Sequence, residues 1–362
     1  LSKLCFIDNT LIMLRFIRDR IIHGFLILLG VITVTFLLFQ SIGDPIDLML
    51  GHRSDVSTKE SLIREYGFDQ PLYRQYFYYL NDLSPLSFHE AKEENIKKYD
   101  YRQLISFGTT VMVWKFPYFR NSFRTNNAVT TIIGERVVGT FCLAFTAMAF
   151  ATFLGITLGV IAALKKGSWL DHFLVSSSVL GISAPSYVAG SLIAYLLAIK
   201  FHDWTGLNPY GYLWELDAFT GYQLTLKNLI LPAFTLGIRP LAVIVQLTRS
   251  SMLEVMNQDY IRTAISKGLS PTQVVLRHAL RNALNPVISA ISGWVGSLMA
   301  GTLFIEMVFA WKGLGSELLA GVLALDLPVV MGITIFVAIV LVFINLVVDI
   351  IYGVVDPRIR VN

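Results

Sequence analysis

Six runs of mainly apolar residues constrain the fold of this 362-residue chain more than any other feature. A helix needs about 20 such residues to cross the hydrocarbon core of a bilayer. The runs lie at 21–41, 137–164, 173–200, 228–249, 286–310 and 328–355. Charged residues make up 15% of the chain, whereas soluble domains carry about 25%. The sequence therefore predicts an all-α membrane protein with six transmembrane helices.

Basic residues cluster on one side of the predicted membrane. Those beside the first, second and sixth runs are Arg15, Arg18, Arg20, Lys165, Lys166, Arg358 and Arg360. Those between the fourth and fifth runs are Arg249, Arg262, Lys267, Arg277 and Arg281. Because short cytoplasmic loops are enriched in Lys and Arg, this pattern predicts that both termini are cytoplasmic. No small-residue cleavage site follows the first run, so we expect it to be a retained anchor.

The polar stretch 43–136 separates the first run from the second. The predicted orientation makes it extracytoplasmic. It contains turn residues and a helical patch from about Lys59 to Leu83, and its apolar content predicts a small folded cap. The chain thus divides into 1–42 (cytoplasmic N-terminus and first transmembrane helix), 43–136 (extracytoplasmic segment) and 137–362 (five-helix core).

The stretch after the fourth run carries clear helix boundaries. Gly268 suits the left-handed position that follows a helix C-terminus. Ser270, Pro271 and Gln273 form a Ser-x-x-Gln capping box with proline at the first helical position. We therefore predict that the helix of the fourth run continues to Lys267 and that a second helix follows at once.

The second helix of this stretch is predicted to be amphipathic. Its apolar stripe is Leu276, Ala279, Leu280 and Ala283. Arg277 and Arg281 lie four residues apart on another face. The pattern predicts a short cytoplasmic helix-turn-helix that lies across the membrane face. A loop held by its arginines to lipid headgroups is the alternative interpretation.

This stretch resembles the cytoplasmic coupling loop of binding-protein-dependent ABC importer permeases. Of their general Glu-Ala-Ala and Gly motif only Ala264 and Gly268 match, and Leu280 matches the Leu of the later Ile-x-Leu-Pro. The runs 260–268 and 277–283 instead resemble the version typical of oligopeptide, dipeptide and nickel permeases. The resemblance assigns the ATPase-coupling loop to 250–285, with contact residues Arg262, Thr263, Ala264, Lys267, Gly268, Arg277, His278, Leu280, Arg281 and Asn282.

The resemblance covers most of the chain. Segments similar to family elements are 43–47, 66–72, 248–255, 306–315, 326–332 and 349–360. Residues 84–118 depart from the usual pattern and look like an insertion in the extracytoplasmic segment. The implied architecture is that of a type I ABC importer permease with an extracytoplasmic insert after helix one.

The resemblance also implies a function and partners. The chain would be the permease subunit of an ATP-driven importer and form half of the pathway for di- or oligopeptides or a related small solute, a nickel chelate included. Its partners would be a second homologous permease, cytoplasmic ABC ATPase subunits, an extracytoplasmic solute-binding protein and membrane lipid, but not nucleic acid. The sequence leaves heterodimer and homodimer open. The location implied is the bacterial inner membrane.

We expect no cofactor, metal or catalytic residue in the chain itself. The sequence lacks the G-x-x-x-x-G-K-[ST] run that cradles ATP phosphates, so ATP and Mg²⁺ would be used by partner ATPases. Its six histidines are scattered, and no two lie at metal-ligand spacing. A nucleophile elbow is also missing, because Gly181-Ile-Ser183-Ala-Pro185 lacks the second glycine.

Polar residues inside the predicted spans are candidates for the translocation pathway. These are Arg239, Gln246 and Glu306. Structural pairing within the bundle is the alternative role for Arg239 and Glu306. Pro185 is predicted to kink the third span. Two other classes of protein compete with the importer, namely a secondary transporter or channel that works without an ATPase, and an integral membrane enzyme.

Overall fold

The computed structural model describes residues 2–41, 69–217 and 221–355. The motif 43–47 and the basic residues Arg358 and Arg360 lie outside these ranges. The chain forms two compact units. The first comprises Leu1–Gly24, Arg136–Ser316 and Val340–Asn362, and the second Phe25–Glu135 and Glu317–Ile339.

The second unit contains a small sheet beside helices. Its elements in chain order are α1 (Ser2–Ser41, from Phe25 onward), α2 (Leu72–Leu83), β1 (Leu86–Glu90), α3 (Glu93–Tyr99), β2 (Arg102–Phe107) and β3 (Thr110–Trp114). The strands form an antiparallel sheet in the order β1-β3-β2. Val111 and Val113 of β3 are buried on one face, together with Ser87 and His89 of β1. Residues 69–118 are called the sheet segment below.

Asp82, at the end of α2, organises a buried polar cluster in the sheet segment. Its carboxylate accepts a hydrogen bond from the Tyr99 hydroxyl at 3.0 Å and pairs with Arg120 at 3.4 Å. Its backbone carbonyl accepts from the Lys115 ammonium and, at 2.9 Å, from the backbone N–H of Tyr118. These contacts join α2 to α3 and to the residues that follow β3.

Charge and burial shift the pKa values of two groups in this cluster. Burial, with the nearby Lys115 charge adding to it, lowers the pKa of His89 to about 4. Burial also lowers the pKa of Lys115 to about 8, and the neighbouring Asp82 opposes this shift. His89 is only 8% exposed and stacks on the Tyr99 ring at 4.2 Å. The cluster therefore favours a neutral imidazole.

The first unit is a helical bundle. Its helices are α4 (Val129–Leu164, from Arg136 onward), α5 (Trp169–Ser183), α6 (Ser186–Ile193), α7 (His202–Thr205), α8 (Lys227–Met256), α9 (Asp259–Ser266), α10 (Pro271–Gln273) and α11 (Leu280–Val308). Strands β4 (Trp214–Asp217) and β5 (Gly221–Leu224) form a hairpin, and π-helical turns occupy Ala194–Lys200 and Val274–Ala279. Helix α8 packs against α5, α6 and α11. Helices α12 (Leu314–Leu323) and α13 (Leu327–Val355) complete the chain and each pass from one unit to the other.

All six predicted spans correspond to helices or bent helix pairs. Within the described residues, four helices are long and apolar enough to cross a membrane, namely Arg15–Ser41, Val129–Leu164, Lys227–Met256 and Leu327–Ile350. Two bent pairs account for the other runs, namely Trp169–Ser183 with Ser186–Lys200 and Pro271–Met299 with Gly301–Val308. The helical fold class is confirmed, and the two small sheets lie between spans.

The third span differs from the prediction. We expected Pro185 to kink one helix, but α5 and α6 are separate helices bent by 113°. Proline lacks the N–H that would continue the hydrogen-bond ladder, and it disfavours helical geometry in the residue before it. Ala184 is accordingly extended, with ψ of 134°. The predicted helix from Lys59 is also wrong in part, because residues 69–71 precede α2 and the earlier residues lie outside the described ranges.

Candidate coupling site

The helix of the fourth span ends earlier than predicted. Helix α8 stops at Met256, and Asn257 and Gln258 separate it from α9. Gln258 is extended, with φ of −77° and ψ of 149°. Asp259 then begins α9, where its negative charge lies at the positive end of the helix dipole. The helix pair, residues 259–284, is therefore joined to α8 through a two-residue break.

The turn inside the helix pair is built as predicted. Gly268 has φ of +81°, the left-handed region that residues with a Cβ rarely adopt. The Ser270 side chain accepts a hydrogen bond from the backbone N–H of Gln273, and the Gln273 side chain accepts one from the backbone N–H of Ser270. Pro271 occupies the first helical position. The predicted capping box and αL glycine are confirmed.

The buried side of the helix pair packs on the ends of two long helices. Its buried side chains are Ile261, Ala264, Val274, Val275, Ala279 and Ala283. They form one cluster with Ala163 of α4 and Met252 of α8. The helix pair is thus fixed to α4 and α8 by apolar packing, so a displacement of the pair acts directly on both helices.

The predicted apolar stripe is wrong at Leu276, which is 57% exposed. The π-helical turn Val274–Ala279 is the cause. Its i→i+5 hydrogen bonds widen the repeat beyond about 3.6 residues. The buried stripe consequently runs through Val275, Ala279 and Ala283, and Leu276 turns outward.

The opposite side of the helix pair is both basic and apolar. Its exposed residues, called the helix-pair face, are Tyr260, Arg262, Thr263, Ile265, Lys267, Gly268, Leu276, Arg277, Arg281 and Asn282. The amide of Asn282 donates to the Tyr260 hydroxyl at 2.8 Å and ties the two helices together. Arg262 lies 3.7 Å from Asp259 in an exposed pair that screening makes weak.

The structure brings the ten predicted loop residues together but divides them by burial. Seven lie on the helix-pair face, Ala264 is buried, and His278 and Leu280 are half-buried. The sequence pattern missed the exposed apolar residues Tyr260, Ile265 and Leu276. Helical periodicity could have placed Ile265 on the Arg262 side of α9, but the π-helical turn that exposes Leu276 leaves no local signal.

Arg239 lies where α5 gives way to α6. Its guanidinium Nη2 donates to the backbone carbonyl of Ala184 at 3.1 Å. A cation is favourable at this point because the carboxyl end of a helix carries partial negative charge. The contact is a form of the structural pairing expected as the alternative to a pathway role. Gln246 is half-buried on the same helix, two turns further on.

Glu306 is fully buried near the end of α11 and its carboxylate has several partners. One oxygen accepts from the Thr140 hydroxyl at 2.7 Å, and the other accepts from the backbone N–H of Ser316 at 2.9 Å. Thr140 in turn accepts from the backbone N–H of Leu314 at 2.8 Å. A Cβ at Gly313 would collide with the carboxylate. These contacts favour a structural role, since Glu306 holds the turn that starts α12.

An ion pair that the sequence analysis missed joins α5 to α8. Arg249 donates to both carboxylate oxygens of Asp171, at 2.5 and 2.8 Å, and the Asp171 side chain is only 2% exposed. The two residues lie 78 positions apart. The one signal available was a single acid in the first turn of an apolar helix, which alone names no partner.

A solved structure of a membrane transporter shares this architecture. A chain of the inward-facing MetNI methionine ABC transporter superposes with a TM-score of 0.50 over 63% of this chain and 97% of its own length, at 17% identity. This chain therefore shares its fold with a chain of that transporter.

Family models and full-length relatives identify the chain more closely. Residues 155–361 match the binding-protein-dependent transport system inner membrane component, and residues 13–144 match the N-terminal model of such membrane components. The chain belongs to this family of binding-protein-dependent permeases.

Three relatives align over nearly the whole chain. The di/tripeptide transport system permease protein DppB of Pseudomonas aeruginosa is 37% identical over 96% of this chain and 99% of its own length. The dipeptide permease DppB of Escherichia coli K12 is 35% identical with the same coverage. The DppB protein of Bacillus subtilis is 33% identical over 92% of this chain and 94% of its own. The predicted family is confirmed.

Proposed function

We propose that this permease forms half of the translocation pathway of an ATP-driven importer for di- or oligopeptides. Family membership supports the transport role. The names of the relatives from Pseudomonas aeruginosa, Escherichia coli and Bacillus subtilis support a peptide as the substrate. Both termini lie in the cytoplasm in this proposal, and a solute-binding protein delivers the substrate on the other side.

The helix-pair face is the ATPase-docking surface in this proposal, and it is the observation on which the mechanism rests. Ile265 and Leu276 are each 57% exposed and Tyr260 is 42% exposed. Large apolar side chains exposed on a short helix pair that also carries basic residues are typical of a surface that a partner covers. The basic residues Arg262, Lys267, Arg277 and Arg281 then supply polar contacts around them. Gly268 forms the tight corner that a groove on the ATPase would receive.

The packing below the face provides a path for transmission. Apolar contacts join the helix pair to α4 and α8. The ion pair between Arg249 and the buried Asp171 joins α8 to α5. Arg239 then joins α8 to the break between α5 and α6. Closure of the ATPase moves the helix pair, and the linked helices follow as a rigid group, which is the usual form of alternating access.

The remaining components of the importer follow from this assignment. A second homologous permease supplies the other half of the pathway, and the ATPase subunits use ATP and Mg²⁺. Arg239 and Gln246 are retained as candidate pathway residues. Arg239 supplies the positive charge to which the carboxylate of a passing peptide would be attracted.

Affinity purification of the tagged chain in mild detergent, followed by mass spectrometry, tests the docking surface. We expect the unmodified chain to recover an ATPase and a second permease. Ile265→Asp replaces an exposed apolar side chain of the face with a carboxylate, so it should lose the ATPase and keep the second permease. Leu104→Asp is the matched control, because Leu104 is similarly exposed at 52% but lies on β2.

Three outcomes would contradict the proposal. An unmodified chain that recovers no ATPase would revive a transporter that works without one. Full recovery of the ATPase by Ile265→Asp would remove the helix-pair face as its dock and favour contact with headgroups. Uptake of a labelled dipeptide in cells should also disappear when the chain is deleted, and loss of nickel-chelate uptake alone would reassign the substrate.

A further inference from the structure

Helix α2 packs against the last third of α1. The Thr33 and Tyr76 hydroxyls are hydrogen-bonded at 2.6 Å, and the Gln40 amide donates to Gln75 at 2.8 Å. The ring of Phe36 lies between these contacts, 5.2 Å from the Tyr76 ring. All of these residues belong to the second unit. The position of α2 along α1 is therefore fixed by side-chain contacts.

The position of α1 in a bilayer fixes the depth of α2. Its apolar span ends at Ser41, about 32 Å from Arg20 at ~1.5 Å per residue. The hydrocarbon core is about 30 Å thick. With Arg20 at one boundary, Ser41 lies at the other, and Thr33 lies about 12 Å inside it. Because Tyr76 reaches Thr33, α2 lies at the level of this second boundary and not beyond it.

The side of α2 that faces away from α1 is aromatic. Tyr73, Phe77 and Tyr78 are 60%, 64% and 54% exposed, and Arg74 is exposed among them. Tyrosine is enriched where hydrocarbon meets headgroups, and arginine extends its charge from such a site to the headgroup region. Helix α2 is also strongly amphipathic, which is typical of helices that lie in the membrane interface.

The neighbouring surface of α1 is apolar at the same level. Val34, Leu37 and Leu38 are each more than half exposed. In a membrane protein these side chains face lipid, so the surface that lipid covers on α1 continues onto α2. A soluble partner would have to cover α2 while lipid covers the α1 side chains directly beside it. The continuity therefore favours lipid as the occupant of both.

We propose that α2 is an interfacial helix whose exposed residues Tyr73, Arg74, Phe77 and Tyr78 bind the lipid surface at the Ser41 end of α1. The helix ends in Asp82 and Leu83, which are buried within the sheet segment. Lipid contact on one side of α2 thus holds the sheet at a fixed height above the bilayer. This inference depends on the membrane location of α1 and not on the substrate or the ATPase.

Spin-label accessibility measures the depth of α2 directly. Phe77→Cys is labelled with a nitroxide in a Cys5→Ser, Cys142→Ser background, and the full chain is reconstituted into vesicles of phosphatidylcholine and phosphatidylglycerol. Power saturation then compares relaxation by oxygen, which concentrates in the bilayer, with relaxation by a water-soluble nickel chelate. We expect oxygen to dominate at residue 77. Tyr73→Cys and Tyr78→Cys report the same depth if the Phe77 variant fails to reconstitute.

Leu104→Cys is the matched control, because it has a similar exposure but lies on β2 of the sheet. There the nickel chelate should dominate. Domination by the nickel chelate at all three α2 positions would place α2 in water and overturn the proposal. Protection from both reagents, with or without added solute-binding protein, would mean that protein and not lipid covers α2, and would overturn it equally.

Discussion

The helix pair and the sheet segment differ in how far they bury their basic side chains. The helix pair leaves Arg262, Lys267, Arg277 and Arg281 exposed on a scaffold closed by near neighbours in sequence. The sheet segment buries Lys115 beside Asp82, and Asp82 also pairs with the half-buried Arg120, which lies just after the segment and 38 positions from Asp82. The first arrangement keeps its shape when a partner leaves, because capping and turn geometry are local. The sheet segment instead depends on buried polar contacts of charged groups, and breaking these contacts costs a large free energy.

This difference in the burial of charge fits the different functions that we propose for the two regions. In the function proposed above, the helix pair binds and releases an ATPase in each cycle, and such a surface needs exposed charge that water can solvate in the free state. A segment that only has to keep one shape gains from buried charge, because removal of either partner leaves the other unsatisfied. We therefore expect the sheet segment to be sensitive to single substitutions and the helix pair to be tolerant of them.

Asp82→Ala should break the sheet segment and give the largest effect. It leaves Arg120 without its carboxylate and the Tyr99 hydroxyl without its acceptor. Removing one partner from a fully buried pair costs about 3–5 kcal/mol, and the cost is smaller here because Arg120 is half-buried. Hydrogen exchange of the amides in β1 and β3, measured in the full chain, should accelerate strongly. Glu90→Gln is the control, since Glu90 is an exposed acid in the same segment. Equal exchange in the two variants would disprove the role of Asp82.

Acid should weaken the sheet segment through His89. The pKa of His89 is lowered to about 4 in the folded protein from an ordinary value near 6.5. The unfolded state therefore binds the extra proton between these values, and stability falls as the pH drops from about 6.5 to about 4. Facing groups are Lys115, Lys98 and Asp82. Exchange in β1, corrected for its intrinsic pH dependence, should rise over this window. His89→Asn should abolish the rise, whereas His172→Asn, which changes an exposed imidazole, should keep it.

Gly268→Ala should give the smallest of the three effects and so separate the helix pair from the sheet segment. No atom lies within 4 Å of a Cβ built at this position, so the φ of +81° is the only obstacle. The left-handed conformation costs a residue with a Cβ about 1–2 kcal/mol. The amides of α9 should exchange moderately faster, and Gly268→Asn should restore much of the loss, because asparagine tolerates this region. A loss as large as that of Asp82→Ala would contradict the view that the helix pair is locally stabilised.

Local chemistry explains what the sequence could predict. Gly268, Ser270 and Pro271 determine the conformation of the few residues around them. Their roles can therefore be predicted from the sequence, and the structure confirms them. The six apolar runs can be predicted for the same reason, since each helix must form all its backbone hydrogen bonds within itself inside the bilayer.

Features that depend on distant partners escaped prediction. Arg249 pairs with Asp171, and Arg239 with the carbonyl of Ala184, across 78 and 55 positions. The π-helical turn that exposes Leu276 has no turn residue to indicate it, and at the break Asn257–Gln258 the single Asn257 was too weak a signal to end the predicted helix. Tertiary packing decides such points, because helix propensity is a weak preference that context overrides.

The buried carboxylate of Glu306 has a consequence for how the chain is made. Its partners Thr140 and Ser316 lie 166 positions before it and 10 positions after it. Thr140 lies on α4, which is synthesised and inserted before α11. An acidic side chain is costly to insert on its own. Insertion of α11 is therefore easier when α4 is already beside it to supply the Thr140 hydroxyl to the carboxyl group.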